Sequence, residues 1–170
     1  MTTHQSSTVS PILGWEPTTT PIAVAPIPAE PPRYDLTVTI GARITTSGAL
    51  ERDPQAQWIG RLRRIAAEKL THLGLGRLRA DAEVLVSELV TNALRYGEGP
   101  SVGVRLVITG RGIVIVVHDG SGVTPQVKAV GDDQESGRGL LLIATLATDW
   151  GVTPDRTTTW CVLNLPEAAS

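Results

Sequence analysis

Three short groups of residues could do chemistry, and they occur in a fixed order. Glu88 and Asn92 stand four apart inside the apolar run Val84 to Ala93. That spacing puts both side chains on one face of a helix. A carboxylate there can take a proton from a hydroxyl or a water. A neutral amide oxygen one turn on suits magnesium, which takes oxygen ligands and shares its shell with phosphates. The second group, Asp119-Gly120-Ser121-Gly122, ends the apolar run Gly112 to His118. A carboxylate at a strand end can accept a hydrogen bond from an exocyclic amine such as that of adenine, worth about 1.5–3 kcal/mol. Gly120 and Gly122 let the backbone approach a flat base. The third group is Gly137-Arg138-Gly139-Leu140. Glycines entering a helix expose N–H groups at its positive end, which favours phosphate. Arg138 adds a direct charge. Together the groups describe a pocket for a metal, an adenine and a phosphate chain.

Each group also has a plain reading. The first is an amphipathic helix with a solvated stripe, on which Asp81 and Arg95 also fall. The second is good turn chemistry after a strand. The third is a glycine-rich helix entry. It is not a Walker loop, since no Gly-Lys-Ser/Thr follows, and no strand leads straight into it as a dinucleotide fingerprint requires. Asn92 weighs against the plain reading of the first group, because Asn is a mediocre helix former and here sits mid-helix in an apolar stretch.

The elements that must position these groups follow from periodicity. Tyr34 to Thr46 alternates as a strand. Asp53-Pro54 opens a helix, as N-cap and first helical position. That helix runs to about Leu70, with Trp58, Ile59, Leu62, Ile65, Ala66 and Leu70 recurring at helical spacing, and the Gly74–Gly76 region ends it. A second helix spans about Leu78 to Tyr96, stopped by Gly97 and Gly99-Pro100. Val102 to Ile108 and Ile113 to Val117 read as strands joined by a turn at Thr109-Gly110-Arg111-Gly112, hence an antiparallel hairpin. Gly120 to Ser136 is polar without periodicity. A helix from about Arg138 to Ala147 and a last strand, Thr158 to Leu165, close the domain. This order predicts an α+β two-layer sandwich, its mostly antiparallel mixed sheet covered on one face by helices.

Composition narrows the class. The chain has 170 residues, 41% hydrophobic and 4% aromatic with no Phe, so its core is built from Val, Leu, Ile and Ala. A net charge of −2 gives no electrostatic case for nucleic acid. Arg61-Leu62-Arg63-Arg64 reads as a solvated helix face. The lone Cys161 excludes an internal disulfide and sits in an apolar run as a buried thiol. No segment is long and apolar enough for a membrane span, and the N-terminus lacks a signal-peptide pattern, so the expectation is a cytoplasmic protein. Residues 1–33 form a Pro/Thr/Ser-rich tail expected to be disordered, 34–166 the domain, and 167–170 a C-terminal tail.

Taken in order, the three groups resemble the N box and two glycine boxes of the GHKL ATP-binding domain, the Bergerat fold of histidine-kinase-like ATPases. The segment Ser87 to Ala93 is very similar to the N box of the anti-sigma-factor serine/threonine kinase branch. Gly137 to Ile143 and the later Trp150-Gly151 are similar to that branch's second glycine box and the helix after it. Thr157-Thr158-Thr159-Trp160 resembles the strand that ends the pocket. The resemblance implies ATP and Mg²⁺ as cofactors. It implies Asn92 as the metal ligand, Glu88 as general base and Asp119 as reader of the adenine amino group. Gly137, Arg138, Gly139 and Leu140 would bind phosphate, Gly120 and Gly122 would line the base, and Thr159 or a neighbouring threonine would back the adenine. Residues 124–136 would be the lid. The first glycine box departs from the usual Asp-x-Gly-x-Gly, with glycines at the first and third positions after Asp119, and the lid carries Asp132, Asp133 and Glu135.

The implied activity is transfer of the γ-phosphate to a serine of an anti-anti-sigma partner of the STAS type, with a sigma factor as a further partner. The alternative is a non-catalytic regulator that sequesters a sigma factor or another protein. Whether the chain forms a homodimer stays open. A detached histidine-kinase catalytic domain is disfavoured, since His72 is followed by Leu73 rather than an acid.

Overall fold

Alternating apolar residues build the sheet, and two apolar helix stripes cover it. The structure is a computed structural model that describes residues 15–16, 27–28, 30–41, 54–97, 99–120 and 136–166. Near the N-terminus, β1 (Trp15–Glu16) and β2 (Ile27–Pro28) pair antiparallel as a separate sheet. Then come β3 (Tyr34–Gly41), α1 (Pro54–His72), a 3₁₀ turn at Gly76–Leu78, and α2 (Arg79–Tyr96). The hairpin β4 (Ser101–Ile108) and β5 (Gly112–His118) comes next. The domain closes with α3 (Ser136–Leu146), β6 (Asp149–Val152) and β7 (Thr158–Asn164). The main sheet has the order β3-β4-β5-β7-β6. Every pairing in it is antiparallel, so the described strands form no mixed sheet.

The helices lie on one face. Leu62, Ala66 and Leu70 of α1 and Leu85, Val86 and Val90 of α2 are fully buried against Ile113, Ile115, Cys161 and other inward strand residues. The cluster Arg61, Arg63 and Arg64 is exposed, as a solvated face requires, while Leu62 between them is buried. Trp58 is half-buried against the core, with the Arg61 guanidinium 5.2 Å from its ring centre. Burial pushes the Cys161 thiol far above its ordinary pKa, so it is no nucleophile. Leu85→Ala opens a cavity where α1, α2 and the sheet meet. The expected loss is about 2–5 kcal/mol, read in urea as a lower midpoint with an unchanged slope.

Most element boundaries fall within a residue or two of the sequence reading, and the informative differences are these. Helix α1 runs to His72, and Gly74 (φ +79°) caps it; its expected N-cap, Asp53, lies outside the described residues. Helix α3 begins at Ser136, two residues early. The short pair β1–β2, within the expected tail, and strand β6 have no counterpart among the expected elements. Four residues with a central glycine carry too little alternation to read as a strand. Gly151 is there for a close approach: a β-carbon on it would sit 2.7 Å from the Trp160 indole. Among the described residues no helix is long and apolar enough to cross a membrane.

Candidate functional site

Helix α2 carries the first group. Its core stripe is Ala82, Leu85, Val86, Leu89, Val90 and Ala93. Glu88 and Asn92 sit half-buried beside that stripe, one turn apart. Among the described residues, neither side chain makes a hydrogen bond or an ion pair. The first turn of α3 lies directly against them. A β-carbon built on Gly139 would sit 2.5 Å from Glu88 Oε2 and 3.4 Å from Asn92 Nδ2. Only glycine lets this turn come so near without moving the carboxylate. The first four N–H groups of a helix have no partner within it, so those of residues 136–139 end at this place. The polar pair and the helix start, 47 residues apart from Asn92 to Gly139, are thus brought together.

Other members of the third group are placed less fully. Gly137 and Arg138 lie in the same first turn, but the Arg138 side chain is outside the described residues. Leu140 is buried in the core, so only its backbone can face a ligand. Gly122 and residues 124–135 of the expected lid lie outside the described residues.

Asp119 is held just past the C-terminal end of α2. The Gly99 N–H donates to its carbonyl at 3.1 Å, and its own N–H donates to the Thr157 carbonyl at 3.0 Å. A β-carbon on Gly97 would lie 3.0 Å from Asp119 Cβ, and one on Gly99 would lie 2.6 Å from Asp119 O. Gly120 adopts φ +67°, a left-handed conformation that favours glycine. Asp119 is therefore wedged between the end of α2 and the start of β7. In the sequence, Gly97 and Gly99 read only as helix stops. Their role as the wall of the site leaves no separate signal there.

Strand register separates Thr158 from Thr157 and Thr159. His118 pairs with Thr158 and Val117 with Thr159. The Thr158 hydroxyl bonds His118 Nδ1 at 3.0 Å on the face away from the helices. Alternation puts Thr159 with Val117 on the helix-covered face, and continues Asp119 and Thr157 onto it. Thr157 Oγ1 is buried and makes no hydrogen bond of good geometry among the described residues, lying only loosely against the Asp155 carboxylate. A tight turn aims it. Thr153 Oγ1 donates to Asp155 Oδ1 at 2.5 Å, and the Thr157 N–H donates to the same oxygen at 3.2 Å. The Thr153 hydroxyl, then the Thr157 amide, hold the Asp155 carboxyl below its ordinary pKa. The turn is thus set at neutral pH and loosens only as acid protonates Asp155.

Among the described residues, no group of three or more His, Cys, Asp or Glu side chains could hold a metal. The donor set here is one amide and one carboxylate. It fits magnesium only if phosphate and water oxygens complete the shell, which is how magnesium is commonly held.

No curated protein matches the chain. Residues 53–163 match the family model of the histidine kinase-like ATPase domain. The match covers well over half of the chain and runs from the start of α1 into β7, through every site residue described above. With Glu88, Asn92 and the first turn of α3 meeting midway along α2, Asp119 just past its C-terminal end and the family model matched over 53–163, the chain belongs to the histidine kinase-like ATPase domain family, an ATP-binding fold.

Proposed function

We propose that this protein is a Mg-ATP-dependent serine/threonine kinase of the anti-sigma-factor type, acting in the cytoplasm on an anti-anti-sigma protein of the STAS class and so controlling transcription. The observation that carries the reading is the approach of Gly139 to Glu88 and Asn92. On this reading, that approach joins a proton acceptor, an oxygen ligand and phosphate-binding N–H groups. The similarity of Ser87 to Ala93 to that branch's N box supports the choice of branch.

The residues divide the work. Asp119 accepts a hydrogen bond from the adenine amino group, with Gly120 giving the base room. Helix rise of about 1.5 Å per residue sets Asn92 roughly 7 Å and Glu88 roughly 13 Å along α2 from Gly97, a separation that suits a base at one end and phosphates at the other. N–H groups of the α3 first turn receive the phosphates. Asn92 offers its amide oxygen to Mg²⁺, which when bound neutralises charge on the phosphate chain. Glu88 takes the proton from the attacking serine hydroxyl. Thr157 Oγ1 donates to the base or to a water beside Asp119.

Thr157→Val tests the last role. Removing a buried hydroxyl that makes no hydrogen bond of good geometry leaves the unliganded fold as stable or slightly more so. ATP affinity should fall about fivefold, the value of one hydrogen bond of about 1 kcal/mol. Unchanged affinity would transfer the role to Thr159.

The function itself is tested by incubating the protein with γ-labelled ATP and a STAS-type anti-anti-sigma protein. Label on one serine of the partner is expected. ATP binding without transfer would instead favour a regulator that sequesters its partner.

A further inference from the structure

The turn between β6 and β7 grips Asp119 from outside the pocket. Thr153 and Thr158 close it. The Thr153 N–H donates to the Thr158 carbonyl at 2.9 Å, and the Thr158 N–H donates to Thr153 Oγ1 at 3.2 Å. Within it, the Arg156 N–H donates to the Thr153 carbonyl at 2.8 Å. That bond makes a β-turn with Pro154 at its second position, where proline is favoured. The chain then leaves through Arg156 at φ +62°, the one non-glycine residue with a positive φ among the described residues. Glycine adopts that conformation freely and an arginine does not. A residue so placed persists when its surroundings over-determine it. Here the Asp155 carboxylate does so by holding groups on both sides of Arg156. Its Oδ1 accepts the Thr153 hydroxyl at 2.5 Å and the Thr157 N–H at 3.2 Å, the second being the short reach of an Asx-turn.

Thr157 carries this grip into the site. Its N–H is held by Asp155, its carbonyl accepts the Asp119 N–H at 3.0 Å, and its hydroxyl is buried. The β5–β7 ladder does not reach this far. Its last pair is His118 with Thr158, so the regular pairing of the sheet does not fix the Thr157 peptide. Asp155 does, although it is itself exposed.

We infer that Asp155 is a positioning residue for base recognition: by fixing the Thr157 peptide it holds Asp119 where the carboxylate meets the adenine amino group. The inference rests on the reading of Asp119 as the adenine acceptor. Selection and positioning then fall to different carboxylates. Asp119 favours adenine over guanine, which presents a carbonyl oxygen in place of the amino group. Asp155 keeps that selector in place. Selectivity is a difference of affinities, so loosening Asp119 costs ATP more than GTP, which has no amino hydrogen to give there.

The test is equilibrium binding of ATP and of GTP to the full-length protein, Asp155→Ala and Asp155→Asn, beside amide hydrogen exchange without nucleotide. Asp155→Ala should lower ATP affinity about five- to tenfold, the value of roughly one hydrogen bond, and leave GTP affinity unchanged. Exchange of the Asp119 amide should quicken while the amides of Ile113 to Val116 keep their wild-type rates. Asp155→Asn should restore both readouts, since its amide oxygen can accept the same two hydrogen bonds. A wild-type ATP-to-GTP ratio in Asp155→Ala would overturn the inference. So would equal loss of both nucleotides with faster exchange throughout β5, which would make Asp155 a residue of fold stability alone. Failure of Asp155→Asn to rescue would overturn the hydrogen-bond route. A wild-type protein with no preference for ATP would overturn the adenine role of Asp119, and with it this inference; that outcome is told apart from the others because it shows before any substitution.

Discussion

Glu88→Gln is expected to cut serine phosphorylation by about 10²–10⁴-fold, the usual contribution of a positioned general base, while Mg-ATP stays bound. Gln keeps the length and shape of the side chain, so the approach of Gly139 is preserved and the fold does not change. What is lost is the ability to take the serine proton. Single-turnover transfer of labelled γ-phosphate, run beside equilibrium binding, separates the two. Equal loss of binding and transfer would mean that Glu88 holds the nucleotide rather than the proton. Undiminished transfer would remove it from the chemistry.

Gly139→Ala is expected to act through the same carboxylate. Its new methyl would lie 2.5 Å from Glu88 Oε2, too close to keep. The flexible end of Glu88 can swing aside, so the fold survives at little cost. The backbone N–H groups of the α3 first turn are unchanged, so ATP affinity is largely kept. Transfer should fall by up to about 10²-fold, because a displacement of about 1 Å at a reacting group can cost that much. A kcat effect larger than the KM effect, with an unchanged unfolding midpoint, is the expected signature. An unchanged rate would mean that Glu88 is not held where the chemistry needs it. Gly139→Val goes further, since its branches would crowd Asn92 Nδ2 as well, and should weaken Mg-ATP binding too.

Much of this site was legible because its parts are local. Glu88 and Asn92 share a helix face by spacing alone, and the left-handed Gly120 follows from turn chemistry after a strand. The α1 and α2 stripes and the β4–β5 hairpin could be read for the same reason: periodicity and a four-residue turn are short-range signals. Contacts across the chain were not. Nothing in residues 88–92 or 137–140 alone says that the two meet; their order and the family resemblance carried that expectation. The choice among Thr157, Thr158 and Thr159 depends on parity, because a one-residue slip in register turns each to the other face. The pairing of His118 with Thr158 turns Thr158 to the far face, and the buried hydroxyl of Thr157 then separates it from Thr159. Strand β6 escaped because its glycine accommodates the Trp160 indole, a requirement set by a neighbour rather than by β6 itself.

The most direct test of the pocket is calorimetric titration of ATP into the full-length protein, with and without Mg²⁺, beside the Asn92→Ala variant. Binding that requires Mg²⁺ and is lost in the variant is the predicted result. Binding that ignores Mg²⁺, or that survives Asn92→Ala intact, would contradict the assignment of α2 as the metal and phosphate end of the site.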